Sequence, residues 1–144
     1  MSQPIHVTAV ARFGPAGWRG ALLRGPSGVG KSDLALRLID AGWRLVADDY
    51  TQVWASGEGL YACAPDRIAG RIEARGLGII GAPSRWISRI ALVVACGRVP
   101  VERLPEADQV EIAGVRLPRL TLDIRPASAT RTLALALAAS VRQV

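Results

Sequence analysis

Lysine is almost absent from this 144-residue chain: of its 18 strongly basic residues, Lys31 is the one that is not arginine. Histidine is as scarce, with His6 alone. The two cysteines, Cys63 and Cys96, have neither the spacing of a metal site nor that of a disulfide framework. They read as small buried apolar side chains in a reducing cytoplasm. No run of about 18 uninterrupted apolar residues occurs, so no membrane-spanning helix is expected. Met1-Ser2-Gln3-Pro4 is not a basic stretch leading into an apolar one, so no secretory leader is expected either. There is no internal repeat, no low-complexity segment and no block of basic residues. The net charge of +6 rests on scattered single arginines, which argues against a nucleic-acid surface. Half the residues are hydrophobic and 21% are charged, an ordinary globular balance. The expectation is one domain over residues 1–144.

The lone lysine lies in Gly25-Pro26-Ser27-Gly28-Val29-Gly30-Lys31-Ser32, a G-x-x-x-x-G-K-S pattern. Glycines let such a loop turn through positive φ and bring N–H groups close to a polyphosphate. Lysine adds a compact ammonium that can follow the phosphates, and the serine hydroxyl can ligate Mg²⁺. A planar guanidinium fits a tight anion nest poorly, so a chain of arginines keeps lysine here.

The flanks support the motif. Residues 5–12 read as a strand, 13–17 as a turn and 18–24 as a second strand that runs straight into the loop. A helix is expected from about Lys31 to Asp40, with Leu34 and Leu38 on one face and Gly42 as its stop. Residues 43–47 form a short buried strand ending at Asp48-Asp49. Residues 50–55 and 60–64 form a hairpin about Gly57-Glu58-Gly59. Residues 71–75 are extended, and 90–96 form a buried strand. Residues 97–107 form an exposed loop. Residues 110–112 and 115–117 pair about Ala113-Gly114, 120–124 make a further strand, and 132–141 make the second helix. Strands outnumber helices, and there is no regular βαβ alternation. The fold class is α/β: a P-loop on a mixed, strand-rich core.

Four further features bear on chemistry. Asp48-Asp49 follows an apolar strand soon after the loop. Phosphoryl transfer needs a carboxylate near Mg²⁺ and one to take a proton from a hydroxyl acceptor, although a strand-ending acid pair also suits a turn. Glu73 and Arg75 face the same side of an extended segment and, by themselves, read as a surface ion pair. His6 alone reads as a core or edge residue. Arg103, in a polar loop, could neutralise a transferring phosphoryl group or simply be solvated.

Taken together, these segments resemble the C-terminal catalytic domain of the HPr kinase/phosphorylase family. Gly25 to Ile39 is similar to the family's P-loop and helix. Arg44-Leu45-Val46-Ala47-Asp48-Asp49 resembles its R-L-V-A-D-D element. Glu73-Ala74-Arg75-Gly76-Leu77-Gly78-Ile79-Ile80 resembles its E-x-R-G-L-G-I-I signature. The resemblance implies a fold shared with phosphoenolpyruvate carboxykinases. It implies a cytoplasmic kinase that moves the γ-phosphoryl group of ATP to a serine of the phosphocarrier protein HPr, and removes it with inorganic phosphate. On this resemblance Asp48 is the general base, and Asp49, Ser32 and Glu73 lie at Mg²⁺. Gly25, Pro26, Ser27, Gly28, Val29, Gly30, Lys31 and Ser32 hold the nucleotide. His6 matches a histidine on the strand before the loop, and Arg103 matches an arginine that steadies the phosphoryl group. Arg125-Pro126 matches the start of a C-terminal R-P-G-R-N stretch, which here continues Ala127-Ser128 instead. The resemblance implies a short form without the family's N-terminal domain, similar to alphaproteobacterial members. A homo-oligomer, a hexamer by resemblance, is implied. From the residues alone, an ATP-dependent small-molecule kinase and a non-catalytic nucleotide sensor both stay open.

Overall fold

The computed structural model describes residues 3–142. Met1, Ser2, Gln143 and Val144 lie outside them, and with them the start of the stretch read above for a leader. Ten strands, two α-helices and a short 3-10 turn at Asp66–Ile68 follow in chain order among the described residues. β1 (Thr8–Gly14) and β2 (Gly17–Arg24) form a hairpin in which Thr8 faces Leu23 and Gly14 faces Gly17. α1 (Lys31–Asp40) comes next, then β3 (Arg44–Ala47), antiparallel to the free side of β1. β4 (Gln52–Ser56) and β5 (Gly59–Cys63) form a second hairpin. β6 (Arg71–Ala74) and β7 (Gly78–Gly81) make a separate two-stranded sheet. β8 (Ile87–Gly97), β9 (Asp108–Ile112), β10 (Val115–Asp123) and α2 (Ala129–Arg142) complete the order.

The main sheet runs β3-β1-β2-β8-β10-β9, and the β4–β5 hairpin joins the first part of β8. β2, β8 and β10 are mutually parallel, and the other pairings are antiparallel. Alternation divides the core. Ala21 and Leu23 of β2, with Leu92 and Val94 of β8, point to the helix side. There they meet Leu34 and Leu38 of α1 and Leu133 and Leu137 of α2. Leu22 and Val93 point the other way, towards Val53, Leu60 and Ile112. Burial on both faces explains why β8 reads as a continuous apolar run rather than an alternating one. Gly20 is glycine for want of room: a Cβ there would stand 2.9 Å from both the Val10 carbonyl oxygen and Ile90 Cδ1.

α1 begins at Lys31, as its apolar spacing predicts, and Gly42 beyond it takes φ 100°. Three expectations need correction. β10 is one strand, not two, because Pro118 stands opposite Gln109 on the β9 side while the ladder to β8 starts only at Arg119. Its missing N–H therefore takes no bond from β8. α2 begins three residues early, at Ala129. His6 is not on a strand: it lies in a bend ahead of β1, beside the Ile5–Thr51 bridge. No helix among the described residues is long and apolar enough to cross a membrane.

Candidate active site

Three parallel strands end together, at Arg24, Gly97 and Asp123. The residues just beyond them line one cavity of about 730 Å³ with the start of α1, the usual place for a ligand in an open α/β sheet. Ser27, Gly28, Gly30, Lys31 and Ser32 form its floor, and Asp49, Glu73 and Arg75 one wall. Arg98, Ile124 and Arg125 form the other wall.

The loop turns on Gly28 and Gly30, at φ 83° and 115°. Gly30 also lies under Ile124, whose Cδ1 would be 3.1 Å from any Cβ placed there. With Gly30 as its N-cap, α1 opens its free N–H groups on the cavity, a setting that favours anions. Lys31 is buried, and its Nζ donates to the carbonyls of Gly25 (2.5 Å) and Pro26 (3.1 Å).

Asp48 and Asp49 are neighbours with different surroundings. Asp48 is buried and accepts three hydrogen bonds: from Ser32 Oγ at 2.7 Å, Thr8 Oγ1 at 3.1 Å and the Glu73 amide at 3.1 Å. Asp49 has a side chain 57% exposed, with Oδ1 2.7 Å from His6 Nε2. The His6 ring lies 5.3 Å from that of Tyr50. The backbone of Asp49 takes φ 69°, rare for a residue with a side chain though tolerated best by Asp and Asn. That turn separates the two carboxylates, one towards Ser32 and the other towards the cavity and His6.

The Ser32 hydroxyl is hydrogen-bonded to the Asp48 carboxylate and Glu73 stands on the cavity wall, so these three candidate metal donors are all oxygens. Among the described residues no three His, Cys, Asp or Glu side chains cluster to hold a metal by themselves. A set this sparse and hard suits Mg²⁺, which binds through one or two carboxylates and the substrate's phosphates. Ser32 also spends its one proton on Asp48, so its oxygen lone pairs remain available to a cation.

The arginines sort by partner. Arg37 pairs with Asp33 at 3.2 Å and donates to the Ile124 carbonyl at 2.8 Å. Arg125 grips Asp123 through Nε and Nη2 at 3.0 and 2.9 Å. These hydrogen bonds hold the Asp123 carboxyl below its usual range and raise Arg125. Arg98 lines the cavity and, among the described residues, makes no ion pair, its Nη1 3.5 Å from the Val29 carbonyl.

A family profile, the HPr serine kinase C-terminal domain, matches residues 17–144. The chain belongs to that family. It is 42% identical over 120 residues to the HPr kinase/phosphorylase of Geobacillus kaustophilus, covering 74% of this chain and 39% of that protein. With the HPr kinase/phosphorylase of Streptococcus gordonii the identity is 36% over 119 residues, covering 74% and 38%. The chain thus spans about two-fifths of the length of these curated relatives. In fold it is similar to the Hpr(Ser) kinase/phosphatase from Coxiella burnetii, with a TM-score of 0.79 at 24% identity. That match covers 99% of this chain and 92% of the other.

Within this HPr kinase fold, most residues singled out from sequence converge. Ser27, Gly28, Gly30, Lys31, Ser32, Asp49 and Glu73 line the cavity, Asp48 lies directly behind Ser32, and His6 reaches the site through Asp49, whereas Gly25, Pro26 and Val29 lie off the lining, Val29 packed against the core. Arg103 does not converge. It sits exposed in the 98–107 loop, away from the cavity lining. Arg98 was missed: its only sequence signal is its place just after a strand, and that strand's parallel neighbour is visible only in the fold.

Proposed function

We propose that this chain is an ATP- and Mg²⁺-dependent kinase that phosphorylates a serine of an HPr-type phosphocarrier protein in the cytoplasm. The single observation that carries the reading is the 2.7 Å hydrogen bond from Ser32 to Asp48, at the mouth of a phosphate-binding loop, with a second, exposed carboxylate on the cavity side. The family relationship supplies the acceptor.

The geometry favours exchanging the roles that the resemblance gave to the two acids. Asp48 is buried with three donors already on it, one of them the P-loop serine, which suits a carboxylate at the metal's side. Asp49 is open to an incoming hydroxyl and backed by His6, which suits the general base. In the reverse direction the same acid would return the proton. Lys31 and the amides of residues 28–32 would hold the phosphates. Ser32, Asp48 and Glu73 would hold Mg²⁺, which when bound offsets charge on the phosphates. Arg103 would have to arrive by movement of its loop, whereas Arg98 is already at the phosphate side.

Incubation of the chain with purified HPr and γ-labelled ATP, with and without excess inorganic phosphate, tests the reading. Label on an HPr serine supports it, and loss of that label on adding phosphate extends it to the reverse reaction. Labelling of sugars or nucleosides but not of HPr would overturn it.

A further inference from the structure

Thr8 opens β1 and is fully buried between Val7 and Ala9, both of them buried apolar residues. Nothing in that setting asks for a hydroxyl, because valine has the same shape and suits a strand as well. A buried hydroxyl is unfavourable unless bonded. Here it is bonded twice. Oγ1 donates to Asp48 Oδ1 at 3.1 Å and accepts the Asp49 amide at 3.0 Å. A hydroxyl has one proton, so these directions are forced: the proton goes to the carboxylate and a lone pair takes the amide.

This one atom therefore joins the two acids. On one side Asp48 Oδ1 is shared with Ser32 Oγ. On the other, the amide belongs to a residue held at φ 69°, a conformation that persists only where its surroundings impose it. The connection is stiff, because β1 is paired on both sides and Ala9 faces Ala47 just before the acid pair.

We propose that Thr8 is a positioning residue that couples the carboxylate behind Ser32 to the backbone that aims Asp49. A cation or phosphate that engages Ser32 and Asp48 is then felt at Asp49 through the Thr8 hydroxyl. The names metal-side acid and base rest on the kinase reading, but the linkage itself rests only on the geometry.

Thr8→Val and Thr8→Ser test it in the full chain, with ¹⁵N labelling to follow the Asp49 amide. In the unsubstituted chain and in Thr8→Ser this amide exchanges slowly with solvent and shifts when Mg²⁺ and ADP are added. In Thr8→Val it exchanges at least about tenfold faster and no longer shifts. Transfer to HPr shows the same order: kcat about tenfold or more lower in Thr8→Val with the KM for ATP within about threefold, and Thr8→Ser close to the unsubstituted chain. A Thr8→Val chain that keeps the Asp49 response, and kcat within about twofold, overturns the proposal. So does a Thr8→Ser chain whose kcat falls about tenfold or more or whose Asp49 amide no longer shifts, and this criterion applies even if the valine variant does not fold. If the unsubstituted chain labels no HPr but its Asp49 amide still depends on Thr8, the kinase reading fails and this inference stands.

Discussion

Ser32 donates its hydroxyl proton to Asp48 across 2.7 Å, and the carboxylate next in sequence, Asp49, has no part in that bond. Adjacent acids that look interchangeable in sequence are thus committed to different partners.

The two acids should fail differently. Asp49→Asn keeps shape but cannot take a proton, so transfer to HPr falls by about 100-fold or more while Mg²⁺-dependent ADP binding stays within about twofold. Asp48→Asn weakens the hold on Ser32 and on the metal, so it raises the Mg²⁺ needed for nucleotide binding by about 10–100-fold. Calorimetric titration of both variants, beside the HPr assay, checks this. The opposite pattern would return the base to Asp48.

Lys31→Arg should abolish transfer despite keeping the charge. The ammonium lies buried against the Gly25 and Pro26 carbonyls, where a broad planar guanidinium has no room. A loss on the order of 100-fold or more in kcat/KM is expected, typical of removing a group aimed at developing charge. A fully active Lys31→Arg chain would show that the loop does not need a compact cation.

Arg98→Gln should weaken ATP binding by about tenfold, as expected for losing a charge-assisted hydrogen bond to phosphate. Its effect on tripolyphosphate should match, since the contact concerns phosphate and not the base. Arg116→Gln, on the far hairpin, serves as the control. Equal affinities for the Arg98→Gln and unsubstituted chains would remove Arg98 from the site.

Burial raises the Cys96 thiol to about 12. The thiol is thus harder to ionise folded than unfolded, and its contribution to stability is complete below the unfolded value, near 8.5. Above that pH the unfolded chain loses the proton first, so stability should fall as pH rises from about 9 towards 12. One fully shifted group gives up to about 1.4 kcal/mol per pH unit. Urea midpoints measured across this range should fall less steeply for Cys96→Ala, although its overall stability is lower because a small cavity is left.

How much was legible depended on how local each signal is. The loop, α1 and the hairpin at Gly57 follow from glycine placement and i, i+4 spacing, which act within a few residues. The apolar run of β8 marked a strand buried on both faces. Pro118 misled because its harm depends on which neighbour needs its N–H, a question of sheet order. The different partners of Asp48 and Asp49 were hidden for a similar reason. They depend on a positive φ at an aspartate and on Thr8, forty residues upstream of Asp48. Arg98 and Arg103 show the same limit, since both precede or follow prolines in one polar loop and only the first stays at a strand end.

The small β6–β7 sheet touches the buried acid through a peptide amide, the N–H of residue 73. Any amino acid except proline would furnish that support, so the scaffold makes no demand on what side chain stands at the position. The glutamate there is chemically unencumbered by the architecture. Its carboxylate can be exchanged, neutralised or lengthened without withdrawing the strut beneath Asp48, which makes position 73 a place to retune the charge of the cavity wall without disturbing the frame.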